Sequence, residues 1–229
     1  MTLRELSASQ PDSFSFTDEN FSLSKRIIKK YPEGYQASAV IPLLDLAQRQ
    51  EGWVSKPAIE FIADLLQMPV IRVLEVATFY TMFNLQPIGK KHIQVCTNLP
   101  CLLRGCDQVV KCCKDKLGIN FGETTNDKMF SLSEVECAGA CVNAPVVAIN
   151  DDYYEDLTYD LMSKVIDRLV QGENIKIGSM INREGSSPVG NKKTLLEDPN
   201  HMVPKQDLLK AKADYEYQKK QKSISKGNN

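Results

Sequence analysis

The stretch VCTNLPCLLRGC, Val95 to Cys106, sets three cysteines in twelve positions just where the hydrophobic pattern changes period. HIQVC, ending at Cys96, suits a short strand, whereas Leu102, Leu103, Cys106, Val109, Val110, Cys113 and Leu117 share one face at helical spacing. A strand feeding a helix is therefore predicted, with cysteines at the junction. Working outward, MFSLSEVEC (129–137) predicts a second strand whose alternation slips near Ser133. VVAIN (146–150) has the continuous apolar run of a central strand, and DDYYEDL (151–157) predicts a turn and an edge strand. From about Thr158 to Gln171, Leu161, Met162, Val165, Ile166 and Leu169 line one helical face, with Gly172 as a natural stop. The order β-α-β-β-β-α makes this an α+β unit.

Upstream of the QPIGKK break (86–91) the pattern is helical: ASAVIPLLDLAQRQEGW (37–53), SKPAIEFIADLLQM (55–68) and PVIRVLEVATFYTMF (69–83). Ser55 is a predicted N-cap and Pro69 a first-turn residue. Val76, Phe79, Tyr80 and Phe83 fall at core-stripe spacing, with a docking face as the alternative. The organisation predicted is an extended lead-in over 1–22 carrying Phe14, Phe16 and Phe21, a helical unit over 23–87, a strand-rich unit over 88–177 and an irregular Lys-rich tail over 178–229.

The charges, 28 basic against 29 acidic, leave a formal net charge of -1, so nothing global points to nucleic acid or an acidic membrane surface. No apolar run is long enough to cross a bilayer, and MTLRELSASQPD at the start lacks a hydrophobic signal core. Seven cysteines, an odd number, argue against an extracellular disulfide scaffold and for metal or redox chemistry in a reducing compartment.

Two cysteine pairs each follow a predicted strand: Cys96 and Cys101, with four residues between them, and Cys137 and Cys141, with three. Strand-end loops meet at one edge of a sheet. Four thiolates there make a soft, anionic site that suits zinc or an iron-sulphur cluster and not magnesium or calcium. Spacing alone leaves both open. ECAGACVNAP (136–145) surrounds the second pair with Ala138, Gly139, Ala140 and Ala144, small residues that let backbone N–H groups approach bridging sulphides. Thr97 and Asn98 are expected to cap a helix rather than serve the site. Cys106 and Cys113 read as small buried hydrophobes and Cys112 as their exposed neighbour, none of them a ligand. His92 and His201 have no evident cysteine partner and are expected to be non-ligands.

YPEGYQASAVIPLLDLAQRQEGW, EVATFYTMFN, HIQVC, CLLRG, EVECAGACVNAP and INDDYYEDLT occur in one order over roughly Phe14 to Lys176. In these motifs the chain resembles the 24 kDa-type, thioredoxin-like 2Fe-2S subunit family of respiratory complex I, the NADH:quinone oxidoreductase. The resemblance implies that Cys96, Cys101, Cys137 and Cys141, in its C-x4-C and C-x3-C positions, bind one 2Fe-2S cluster. It implies an N-terminal helical bundle followed by a thioredoxin-like 2Fe-2S ferredoxin domain, the bundle docking on a partner flavoprotein that carries FMN and NADH. The cluster would lie near that FMN and serve transient electron storage. No dinucleotide fingerprint, Gly-rich phosphate loop or flavin motif occurs in this chain, in keeping with NADH and FMN belonging to the partner. Other peripheral-arm subunits are implied partners; nucleic acid and direct membrane insertion are not. The implied location is cytoplasmic, peripheral at a bacterial inner membrane, with the mitochondrial matrix side as the alternative. Two other functions remain open: the diaphorase subunit of an NAD-linked hydrogenase or formate dehydrogenase, and a structural zinc-binding adaptor.

Overall fold

The computed structural model describes residues 4–189. The chain divides into two compact units, Met1–Met180 and Ile181–Asn229. In the second, residues 181–189 form an irregular stretch in which Arg183 Nη1 donates to the Ser187 carbonyl at 3.2 Å and the Ser187 N–H to the Glu184 carbonyl at 3.0 Å. His201 and the expected Lys-rich tail beyond residue 189 lie outside the described residues.

The first unit opens with four helices, α1 (Asp18–Ile28), α2 (Val40–Glu51), α3 (Lys56–Leu66) and α4 (Val70–Phe79). Each end has a local cause. Thr17 and Ser55 side chains accept from the N–H groups of Asn20 and Ala58, satisfying first-turn donors that have no intrahelical partner. Pro69 precedes α4 as its cap rather than entering its first turn. Helix α1 lies partly within what the sequence presents as an extended lead-in, and only the residues before it are extended. Phe14 and Phe16 do dock their rings, edge-on to each other and to Phe61 of α3, with centroids 5.2–5.5 Å apart. Leu43, Leu44, Ile59, Ile62, Leu66, Val73 and Phe83 form the core of this helical region.

The expected aromatic core stripe on α4 is not what folds. Small residues, Val73 and Ala77, take the inward face, while Phe79 is 77% exposed and Val70, Ile71, Tyr80 and Met82 are also exposed. Of the stripe, Phe83 alone is fully buried.

The second region is a five-stranded mixed sheet in the order β2-β1-β3-β4-β5, with β1 (Lys91–Cys96), β2 (Phe130–Val135), β3 (Val147–Ile149), β4 (Asp152–Glu155) and β5 (Gly178–Ser179). β1 runs parallel to β2 and antiparallel to β3, in the register Cys96 opposite Val135 and Ile93 opposite Ile149. β4 is not an edge strand, because β5 pairs with it in parallel. Helices α6 (Cys106–Leu117) and α7 (Tyr159–Val170) pack on each other and share one core with Ile93, Val95, Leu132, Val147 and Ile149. Thr158 caps α7 through the Leu161 N–H, as its sequence pattern predicts.

The single helix expected after β1 is two. A short α5 (Leu99–Leu103) ends before Gly105, whose φ of +89° turns the chain into α6. The break swings Leu102 and Leu103 off the apolar face, leaving both exposed. It also corrects the expectation for Cys112, which is fully buried beside Val109 and Cys113 in the sheet core. Among the described residues no helix is long and apolar enough to cross a membrane.

Candidate functional site

Parallel pairing decides where the cysteines go. Because β1 and β2 run side by side in one direction, their carboxyl ends emerge together, the position where open sheets with helical crossovers place their ligands. Cys96 is the last residue of β1; its N–H donates to the Val146 carbonyl at 3.1 Å, and the next N–H, of Thr97, to the Val135 carbonyl at 3.2 Å. Asn98 then caps α5, accepting from the Leu99 N–H at 2.6 Å, and one turn later Cys101 points into the same pocket as Cys96. Thr97 is not a cap: its hydroxyl donates to Glu134 Oε1 at 2.6 Å, tying the ends of β1 and β2 together.

Two residues beyond β2 the chain reaches Cys137. The loop to Cys141 turns at Gly139, with φ +76°, and this turn aims the Gly139 N–H at Cys137 Sγ, 3.3 Å away. Cys141 opens a single 3-10 turn to Asn143. The Asn143 side chain donates to Glu155 Oε2 at 2.5 Å, the Asn143 main-chain carbonyl accepts from the Asp156 N–H at 2.8 Å, and a cis Ala144–Pro145 bond leads back toward β3. The second loop is thus moored to β4.

The pairs differ in exposure. Cys96 and Cys101 are 2% and 1% exposed, packed with Cys106, Ala144 and Val146, whereas Cys137 and Cys141 are open to solvent. Burial pushes the Cys101 thiol up to about 12, with the hydrogen-bonded Cys96 thiol adding to the rise and the Val146 N–H opposing it. Cys141 is also raised, by desolvation first and then by Cys137 beside it. Each pair is therefore in internal contact. Among the described residues no three His, Cys, Asp or Glu side chains converge on one point as a single metal ion would require. The donor set comes as two dithiols at one sheet end, with small Ala138 and Ala140 packed against the pocket of the buried pair. That division suits a binuclear cluster, in which each iron takes two thiolates, better than a tetrahedral zinc site.

The remaining cysteines are core thiols. Burial pushes Cys112 to about 11 and Cys113 to about 12, so both stay protonated near neutrality. His92 is buried, shares a 2.7 Å hydrogen bond with Ser133 Oγ, and has its pKa lowered to about 4 by burial, so it stays neutral. Sequence reasoning missed Glu134 and Glu155 as anchors of the two loops, and Cys106 as a neighbour of the first pair. Only Cys106 left a signal, its position little more than one turn beyond Cys101.

A family model described as thioredoxin-like 2Fe-2S ferredoxin matches residues 24–170. The chain is 63% identical over 158 residues to a protein of Rickettsia bellii named as a subunit of NADH-quinone oxidoreductase, covering 69% of this chain and 95% of that protein. It is 47% identical over 196 residues to the mitochondrial NADH dehydrogenase (ubiquinone) flavoprotein 2 of Dictyostelium discoideum, covering 85% of this chain and 79% of that one. A solved NAD+-reducing NiFe hydrogenase superposes with a TM-score of 0.51 at 18% identity, over 58% of this chain but only 23% of the hydrogenase chain. That likeness is one of fold.

Proposed function

We propose, from the premise that this chain belongs to the thioredoxin-like 2Fe-2S ferredoxin family, that Cys96, Cys101, Cys137 and Cys141 together hold one 2Fe-2S cluster. The chain is the electron-transfer subunit of the NADH-oxidising module of an NADH:quinone oxidoreductase, the enzyme for which its relatives are named. The observation that carries the site is the arrival of two dithiols at the shared carboxyl end of β1 and β2.

When bound, the cluster supplies a one-electron relay. The residues around it have separable tasks. Cys96 and Cys101 hold their half out of water in an apolar pocket, while Cys137 and Cys141 leave the other half at the surface, where a redox partner can approach. Gly139 directs its backbone N–H at Cys137 Sγ, and the Val146 backbone opposes the rise of the Cys101 thiol. Ligation requires the buried Cys101 thiol to lose its proton, so cluster binding is coupled to proton release.

Hydride leaves NADH as an electron pair, so a flavin must stand between NADH and a one-electron acceptor. That flavin and the NADH site belong to the partner flavoprotein, with the cluster near its FMN and further peripheral-arm subunits completing the module. Residues 23–87 dock the chain and residues 88–177 carry the cluster. The exposed Val70, Ile71, Phe79, Tyr80 and Met82 around α4 support the docking role. The complex holds the chain peripherally at the cytoplasmic face of a bacterial inner membrane, or on the matrix side in a mitochondrion.

The test is purification of the full chain with and without its flavoprotein, with iron and sulphide counts and a reduced-state electron paramagnetic resonance spectrum. A rhombic 2Fe-2S signal, no NADH oxidation by the flavin-free chain alone, and activity restored by the flavoprotein are expected. Stoichiometric zinc without sulphide would instead make the chain a structural adaptor. Co-purification with hydrogenase or formate dehydrogenase subunits would place it in their diaphorase.

A further inference from the structure

We propose that Cys106 is a reserve ligand for the buried half of the site, able to take the place of Cys101 on the iron. This rests on the ligand assignment above and adds a fifth thiol to it.

Cys106 is 2% exposed and packs in one small cluster with Cys96, Cys101, Ala144 and Val146. Cys112 and Cys113, about two turns further along α6, belong instead to the sheet core. The pocket therefore holds three soft donors where half of a 2Fe-2S cluster uses two. Cys137 and Cys141 have no such neighbour in that packing, so the redundancy is confined to one half.

The backbone around Cys106 suits an exchange. Gly105, in the left-handed region at φ +89°, turns the chain from α5 into α6, and Cys106 lies in the same buried cluster as Cys101. Cys106 is the first residue of α6, where the N–H has no intrahelical acceptor to lose if the residue shifts. In the exchange the Cys101 S–Fe bond breaks as the Cys106 S–Fe bond forms, the Cys106 S–H proton passing to the departing Cys101 thiolate, or to solvent where residue 101 is no longer a ligand. The iron keeps its oxidation state, so no oxidant or reductant is needed.

The experiment compares full chains carrying Cys101→Ala, Cys101→Ala with Cys106→Ala, Cys101→Ser, Cys101→Ser with Cys106→Ala, and Cys137→Ala, each reconstituted with iron and sulphide. With Cys106 present, Cys101→Ala should keep iron within about twofold of the unsubstituted chain, falling by at least about tenfold when Cys106 is also removed. Cys101→Ser should give a spectrum with sulphur ligation only, changing to a mixed oxygen and sulphur pattern in the double variant. The serine pair, nearly isosteric with the native chain, decides the matter if the alanine chain does not fold. Equal iron in the two alanine chains, or identical spectra in the two serine chains, would overturn the reserve role. Cys137→Ala reports separately: an unchanged signal there would sink the ligand assignment itself.

Discussion

The two loops that bring the cysteines together are built on opposite plans. Residues 96–101 leave a strand end clamped to both neighbours, pass through one capped turn, and deliver two sulphurs into an apolar pocket. Residues 137–141 leave the adjacent strand into solvent and are shaped by a left-handed glycine and one N–H to sulphur contact. The first loop is preformed by burial and the second is held at its far end, through Asn143 and Glu155. A site assembled this way has a buried half that excludes water and a half open to solvent, which on the proposed reading is where a redox partner approaches. Those are the demands that electron relay places on a cluster.

The largest expected contrast is in thiol reactivity. In the reduced, metal-free chain at pH 8, iodoacetamide should modify Cys137 at least about 100-fold faster than Cys101, whose buried thiol is pushed up to about 12 and so is almost wholly protonated. Peptide mapping over time checks this, and equal rates would erase the distinction between the loops. Next is a change beneath both loops. Leu132 is fully buried on β2, and Leu132→Ala should lower unfolding stability by about 3 kcal/mol in urea titrations. Because β2 pairs with β1, it should speed labelling of both pairs rather than of one.

A third expectation concerns pH. Buried His92 has its pKa lowered from 6.5 to about 4, so the unfolded chain takes up its proton first as pH falls. Its contribution is fully present above pH 6.5 and is lost progressively down to about pH 4, by roughly 3 kcal/mol in all. His92→Gln should flatten that part of the metal-free chain's stability profile. A profile as steep as the native one would remove His92 from the explanation. The smallest effect belongs to the open loop alone. Gly139 has φ +76° and open space where a Cβ would sit, so Gly139→Ala should cost about 1 kcal/mol through the backbone only. Cluster loss to a chelator should quicken a few-fold while labelling of Cys96 and Cys101 in the metal-free chain stays unchanged.

Much of this was legible in the sequence, for a physical reason. The succession of β1, β2, β3, β4 and α7 along the chain, the α7 face and the emergence of both cysteine pairs after strands follow from periodicity, and periodicity reports burial directly. What failed depended on neighbours. Cys112 sits three residues after Val109, a helical spacing for burial, but only the packing of α7 against α6 shows that this flank is covered. On α4 Val73 and Ala77 take the fully buried positions, with Leu74 and Val76 packed partly against the same core, and the bulky Phe79 lies outward. Helix α1 was hidden by its sparse apolar content, although Thr17 followed by Asp18 and Glu19 is a start signal. The anchors Glu134 and Glu155 could not be found from spacing, since each meets a partner on another element.

The most direct measurement is iron and acid-labile sulphide per chain in the Cys137→Ala, Cys141→Ala double variant, beside the unsubstituted chain and Cys112→Ala. Loss of the open pair should reduce both counts by at least about tenfold and abolish the reduced-state resonance, with Cys112→Ala matching the unsubstituted chain. Full iron and sulphide with an unchanged spectrum in the double variant would contradict a cluster shared between the buried and open dithiols.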